Sequence, residues 1–451
     1  MIFSIYEHTT NDTQKLSQAL TNLIDKGIIR QLDNRNQLRI TEHTDINVEA
    51  KINDTIEQRK NDVEIKDILN NFVGNKVLYP NAYNDSNEVV RYFNFRFINQ
   101  EDINEIEDWE ELIKQEGSDG IVFAVIHKTK IGDKVFFKEK YRDIKNKRIL
   151  FVVPKKHLNI NEQIIKYDAI KYLMDNTNDE ILAEELSYSL NDLSDIISNF
   201  IDIYLKPELN QSKYYNNGQE EIICRRSALS KKLSEICENT YSKSPIINNE
   251  VLNKNSLSSQ AINSRSKVVA GLLDSNIKEN LGLIATGQDV SFMRSTIKNE
   301  GILVENNGSY YINIENLKNK KLQNVLDEIK KFILKSSEKQ ISFKELYDVL
   351  IEPEYNIGLK KGVIPIYIGC VLHHYKKNEK SHLKFLYYHH SLLTLIIHLK
   401  ANQLVFCVFL HLLYSFLRKY YIFSIIHINL ILEKNLDLIN YLMCFDFLYL
   451  S

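Results

Sequence analysis

Apolar residues recur three and four positions apart near the start of the chain, at Leu16, Leu20, Leu23 and Ile24. That spacing predicts an amphipathic helix, capped by Asp12 or Thr13 and ended by Gly27. Two short apolar runs follow, Ile28-Ile29-Arg30-Gln31-Leu32 and Gln37-Leu38-Arg39-Ile40, around the turn Asp33-Asn34-Arg35-Asn36. They read as paired strands. Residues 289–314 repeat the plan. A helix carries Phe292 and Ile297, Gly301 ends it, and Ile302-Leu303-Val304 turns at Asn306-Asn307-Gly308 into Tyr310-Tyr311-Ile312. Helix, glycine and two-stranded hairpin is the order of a winged-helix unit, so two winged-helix-like units are expected.

Between them, residues 47–108 begin as helix and shift to the alternating run Val89-Val90-Arg91-Tyr92-Phe93-Asn94-Phe95-Arg96-Phe97, a strand pattern. Residues 120–126 and 149–153 are continuous apolar runs of the buried-strand type, the second stopped by Pro154. Helical spacing returns at 161–174 and strongly at 179–205, which Pro207 closes. It returns again at 225–241, 257–273, 322–334 and 343–350. Asn216-Asn217-Gly218 is a turn. The expected fold class is α+β: a helix-rich multidomain body with a small α/β sheet layer and two winged-helix-like units. The expected divisions are 1–45 (winged-helix-like), 46–215 (α/β with a helical extension), 216–330 (helical, with the second winged-helix-like unit), 331–375 (helical) and 376–451.

The last of these differs from the rest. All 14 glycines and all 6 prolines lie at or before Gly369. From 381 onward the acids are Glu433, Asp437 and Asp446, while six of the 12 histidines fall there. A domain needs turns, and turns need Gly, Pro, Asn or Asp. The segment is therefore expected to form no defined domain. One reading is a membrane anchor: residues 401–417 are apolar and are followed by Arg418 and Lys419. That stretch is at the short end of a span, and it carries His411 and Gln403. The other reading is an out-of-frame end, which suits a chain rich in Ile, Asn and Lys. The second is favoured.

Charge narrows the function classes. With 57 basic and 59 acidic residues the net charge is -2, so any DNA contact must come from a local patch. Five cysteines without a Cys-x-x-Cys pair fit a reducing, cytoplasmic setting, and the first residues lack the build of a signal peptide. There is no G-x-x-x-x-G-K-[ST] loop, so the phosphate cradle of a P-loop is missing. There is no His-Glu-x-x-His and no zinc-type spacing. No catalytic residues, cofactor or metal are expected. The candidate nucleic-acid residues are Arg30, Arg35 and Arg39 on the first hairpin, and Lys138, Lys140 and Arg142 within a basic run that continues to Arg148. For that run a solvated loop between two strands is the preferred reading, because Asp133, Glu139 and Asp143 dilute it.

Three phrases carry a resemblance: Tyr241 to Glu250 with Pro245 and Asn248; Gly282 through Ser291 and Arg294 to Gly301; and Phe343 to Pro365 with Gly358 and Gly362. Together they resemble the region downstream of the P-loop module in large bacterial phage-resistance ATPases of BREX-type systems. The resemblance spans roughly residues 91–375 and is strongest after Tyr241. It implies a non-catalytic piece of such an ATPase, with Pro245, Asn248, Glu250, Gly358, Gly362 and Pro365 as structural positions. It also implies partners among the subunits of a defence complex, and DNA. The alternatives are a stand-alone cytoplasmic DNA-binding or scaffold protein, or a protein tethered to a membrane through 401–432.

Overall fold

The computed structural model describes residues 13–25, 29–32, 37–40, 48–127, 144–284, 286–339 and 341–376. The chain divides into two compact units, Met1–Ser242 and Lys243–Ser451.

Unit 1 opens with α1 (Thr13–Asp25) and the antiparallel hairpin β1 (Ile29–Leu32) and β2 (Gln37–Ile40). Its centre is a six-stranded mixed sheet, in which β3 (Val77–Leu78), β4 (Phe93–Asn99), β5 (Gly120–Ile126), β6 (Ile149–Pro154), β7 (Ser212–Asn216) and β8 (Gln219–Glu221) lie in chain order. β4, β5 and β6 are parallel, and β3, β7 and β8 flank them antiparallel. Parallel strands need crossover connections and covered faces, which explains the unbroken apolar run of β5. Val122, Ala124 and Ile126 enter one core; Ile121, Phe123 and Val125 enter the other. The first core also takes side chains of α3 (Ile65–Val73), α6 (Asn161–Asp175), α7 (Glu180–Leu205) and α8 (Arg226–Thr240). The second packs on Ile113 and Trp109 of α5 (Trp109–Glu116), with Trp109 edge-on to Phe123 and Phe151. A smaller core joins α2 (Val48–Arg59) to α6 and α7 through Ile52, Ile170, Leu182 and Leu186. Each such side chain, fully buried, contributes roughly 1.5–3 kcal/mol. α4 (Asn81–Asn87) packs beside α8, where Ser234 accepts from the Tyr83 amide.

Several features of unit 1 differ from the sequence expectation. β4 starts at Phe93, not Val89, because Asn84 pairs with both backbone groups of Arg91 and holds that stretch off the sheet. The β7–β8 hairpin had no apolar run to announce it. It turns at Asn217 and Gly218 (φ 48° and 78°), and Tyr214 and Tyr215 supply opposite faces of the sheet. Arg148, placed with a solvated basic run, is buried at the entrance of β6. The division expected at 215/216 falls at the end of β7, and α8 joins the core beneath the sheet.

Unit 2 has one core. It combines α9 (Ser259–Leu273), α10 (Gln288–Met293), the hairpin β9 (Leu303–Asn306) and β10 (Ser309–Ile312), α11 (Lys320–Glu338), α12 (Phe343–Ile351) and α13 (Ile364–Lys376). The division expected at 330/331 falls inside α11. α10 runs into a π-helical turn, Arg294–Lys298, and Gly301 (φ 73°) leads into the hairpin. Helix, glycine and hairpin thus stand in the expected order. The chain is α+β. Residues 376–451, apart from the last residue of α13, lie outside the described residues, and so does the expected anchor at 401–417. Among the described residues no helix is long and apolar enough to cross a membrane.

Candidate nucleic-acid interface

The predicted basic residues come first. Arg30 and Arg39 are cross-strand partners on the β1–β2 hairpin. Arg35, Lys138, Lys140 and Arg142 lie outside the described residues. The positions drawn from the family resemblance all lie in unit 2. Pro245 and Pro365 are buried, Pro365 in the first turn of α13. Asn248 and Glu250 are exposed, Glu250 lying 3.6 Å from Lys254. Gly358 takes φ 65°. Gly362 lets the backbone carbonyls of Leu252 and Lys254 close in; a Cβ there would collide with both. The Gly362 amide donates to Lys254 O at 2.9 Å, which fastens loop 244–256 to the start of α13. Arg265 of α9 donates to the Gly362 carbonyl at 3.2 Å, and burial lowers its pKa.

The densest ionic cluster is in unit 1. Arg91 Nη1 meets Asp119 Oδ1 at 2.7 Å, with side-chain exposures of 3% and 9%. Tyr241 Oη donates to the same oxygen at 2.9 Å, and its ring lies 3.4 Å from the Arg91 guanidinium carbon. The Tyr92 amide takes the other carboxylate oxygen. Burial opposes the Arg91 charge, but Asp119 and the flanking Tyr241 and Tyr83 outweigh it and raise its pKa. Burial, then Asp119, raises that of Tyr241. Beside it, Arg148 pairs with Glu110, which also accepts from Asn146 at 2.8 Å. These residues sit at the amino ends of β4, β5 and β6. Open α/β sheets bind ligands at the carboxyl ends, so this cluster reads as a closed fastening. A cleft of about 470 Å³ beside it is lined by Ile103, Trp109 and Ile144, but its acids are committed: Asp108 caps α5 and Glu110 holds Arg148. Among the described residues no group of three His, Cys, Asp or Glu could hold a metal ion.

Unit 2 presents a different case, several cations without a carboxylate partner among the described residues. Arg294 and Lys298 are exposed on the π turn that extends α10. Arg294 has no side-chain partner among the described residues, and Lys298 reaches only the neutral Asn280 Oδ1, at 3.1 Å. Glu300, two residues on, accepts from Asn319 Nδ2 at 3.0 Å. Asn319 is the N-cap of α11, accepting from the Leu322 amide. That bond brings Lys318, Lys320 and Lys321, all exposed, to the end of the π turn. None of the three makes an ion pair with a described carboxylate. Two of them stand in the first turn of α11, where the helix dipole disfavours cations and no acid offsets them. The sequence signal for them is the short run Lys318-Asn319-Lys320-Lys321 after the hairpin. The hairpin itself carries Glu305 and no basic residue. Searches for relatives return nothing: no family model, no curated protein and no solved structure matches the chain.

Proposed function

We propose that unit 2 contains a winged-helix unit, residues 259–314, and that it contacts DNA. α9 and α10 form the helix pair, and β9–β10 the wing. The observation that carries this reading is Arg294 and Lys298, exposed on the second helix without a described carboxylate partner. In the wider setting suggested by the family resemblance, the chain is a non-catalytic piece of a large ATPase of phage-defence type. The β1–β2 hairpin, with Arg30 opposite Arg39, is the corresponding wing of a second such unit.

The experiment is retention of labelled duplex DNA by the purified chain. Retention should fall as salt rises. The double variant Arg294→Ala/Lys298→Ala should weaken it about ten-fold or more at moderate salt. Retention equal for variant and wild type would sink the DNA reading. One observation favours a second reading, a protein-packing role for the same unit: its wing is acidic at Glu305 and its core is shared with α11, α12 and α13. Under that reading the double variant alters binding to a protein partner and leaves DNA unaffected.

A further inference from the structure

Two observations define how unit 2 would engage a nucleic acid. The first is steric. Loop 244–256 lies on α10 and its π turn: Asn249 Nδ2 donates to Ser295 Oγ at 3.2 Å and to Ser291 Oγ at 3.4 Å. The loop is itself fastened to α13 through Lys254 O and the Gly362 amide. A recognition helix reads bases by laying a bare face in the major groove. Here the loop crosses that helix at Ser291 and Ser295, while Arg294 and Lys298 stay exposed. The second observation is electrostatic. Arg294, Lys298, Lys318, Lys320 and Lys321 come from two elements joined by the Asn319–Glu300 bond. All five are exposed, and Glu300 at the junction is already engaged by Asn319. Two nearby acids are paired elsewhere, Asp289 with Lys267 at 3.5 Å and Glu315 with Lys330 at 3.1 Å, while Glu279 is exposed one residue before Asn280, the partner of Lys298. Glu305 lies out on the hairpin.

We infer that the junction between the π turn and α11 binds the phosphate backbone of duplex DNA without reading its sequence. Lysine heads suit this task, since each is a mobile point charge that meets a phosphate without fixed bidentate geometry. Phosphate contacts position a protein on the duplex and carry no base information. The loop across the helix leaves the basic junction as the contacting surface. This inference rests on the DNA reading above and adds its mode.

The test uses the full chain, two duplexes of unrelated sequence, and the triple variant Lys318→Gln/Lys320→Gln/Lys321→Gln. Binding is followed between about 50 and 200 mM salt. The two duplexes should bind within about three-fold of each other. The triple variant should bind both more weakly by the same factor. Its log–log salt slope should be shallower by about 0.9 for each lost phosphate contact, so by roughly 2–3. A wild-type preference of a hundred-fold or more for one duplex overturns the inference while leaving the DNA reading standing. A triple variant with an unchanged slope does the same. No salt-sensitive binding of either duplex by the wild type overturns both. Circular dichroism of the triple variant guards the comparison, since the three lysines are exposed and their loss should leave the spectrum unchanged.

Discussion

Asp119 holds more of unit 1 together than its place in a Ser-Asp-Gly turn suggests. Its carboxylate accepts from Arg91, Tyr241 and the Tyr92 amide, and its carbonyl from Arg148 at 3.4 Å. Removing one member of a buried pair leaves the other charge uncompensated, at a cost of about 3–5 kcal/mol. Asp119→Ala should therefore destabilise unit 1 by about that much in urea unfolding. Tyr241→Phe loses one hydrogen bond to a charged acceptor, about 1.5–3 kcal/mol. Tyr241 also sets a pH dependence. Its folded pKa is raised above the unfolded value of about 10, so its stabilisation is complete below pH ~10 and is lost as pH rises beyond it. Unit 1 should then unfold more readily in alkali, and Tyr241→Phe should flatten that decline. An equal alkaline decline in both proteins would count against the cluster as its source. None of this was legible in the sequence. Arg91 sat in an alternating run as one of its polar members, Asp119 in a turn, and Tyr241 lies 122 residues from Asp119. A pairing across that separation leaves no local pattern.

At the scale of elements, period and punctuation read well where burial is one-sided. α7 starts one residue after its cap, Asp179, whose side chain accepts from the Ile181 and Leu182 amides, and Pro207 closes it as expected. β5 and β6 fall where continuous apolar runs placed them, because both of their faces are covered. The β7–β8 hairpin escaped because β7, built of Ser, Lys, Tyr and Asn, has no such run, and neither has the edge strand β8. The candidate interface was not legible as such: Arg294 belongs to a phrase that carries the family resemblance and was no nucleic-acid candidate, and Lys318, Lys320 and Lys321 became a group only through the Asn319–Glu300 bond. The glycine at 362 gives an element-scale prediction. Gly362→Ala drives a methyl group into the carbonyls of Leu252 and Lys254, and overpacking of this kind costs typically ~1–3 kcal/mol. Thermal unfolding should show unit 2 destabilised, and loop 244–256 should lose protection from protease. A variant as stable and as resistant as the wild type would mean that the loop is not held there.

For the whole molecule, separate cores in two stretches of chain predict separable behaviour. Asp119→Ala should shift an unfolding transition belonging to unit 1, and Gly362→Ala one belonging to unit 2. The effects should add in the double variant within about 0.5 kcal/mol, as for independent sites without shared partners. Strong coupling between them would show that the units unfold together. The Tyr241 bond also has a consequence in time. Arg91 and Asp119 are 28 residues apart, whereas the tyrosine that completes them stands one position before the end of unit 1, 122 residues after Asp119. A ribosome adding roughly 5–20 residues per second reaches it about 6–24 s after Asp119 is made. Through that interval the nascent sheet carries an ion pair whose third member has not yet been synthesised, so the growing chain depends on water, or on a chaperone, to keep its place.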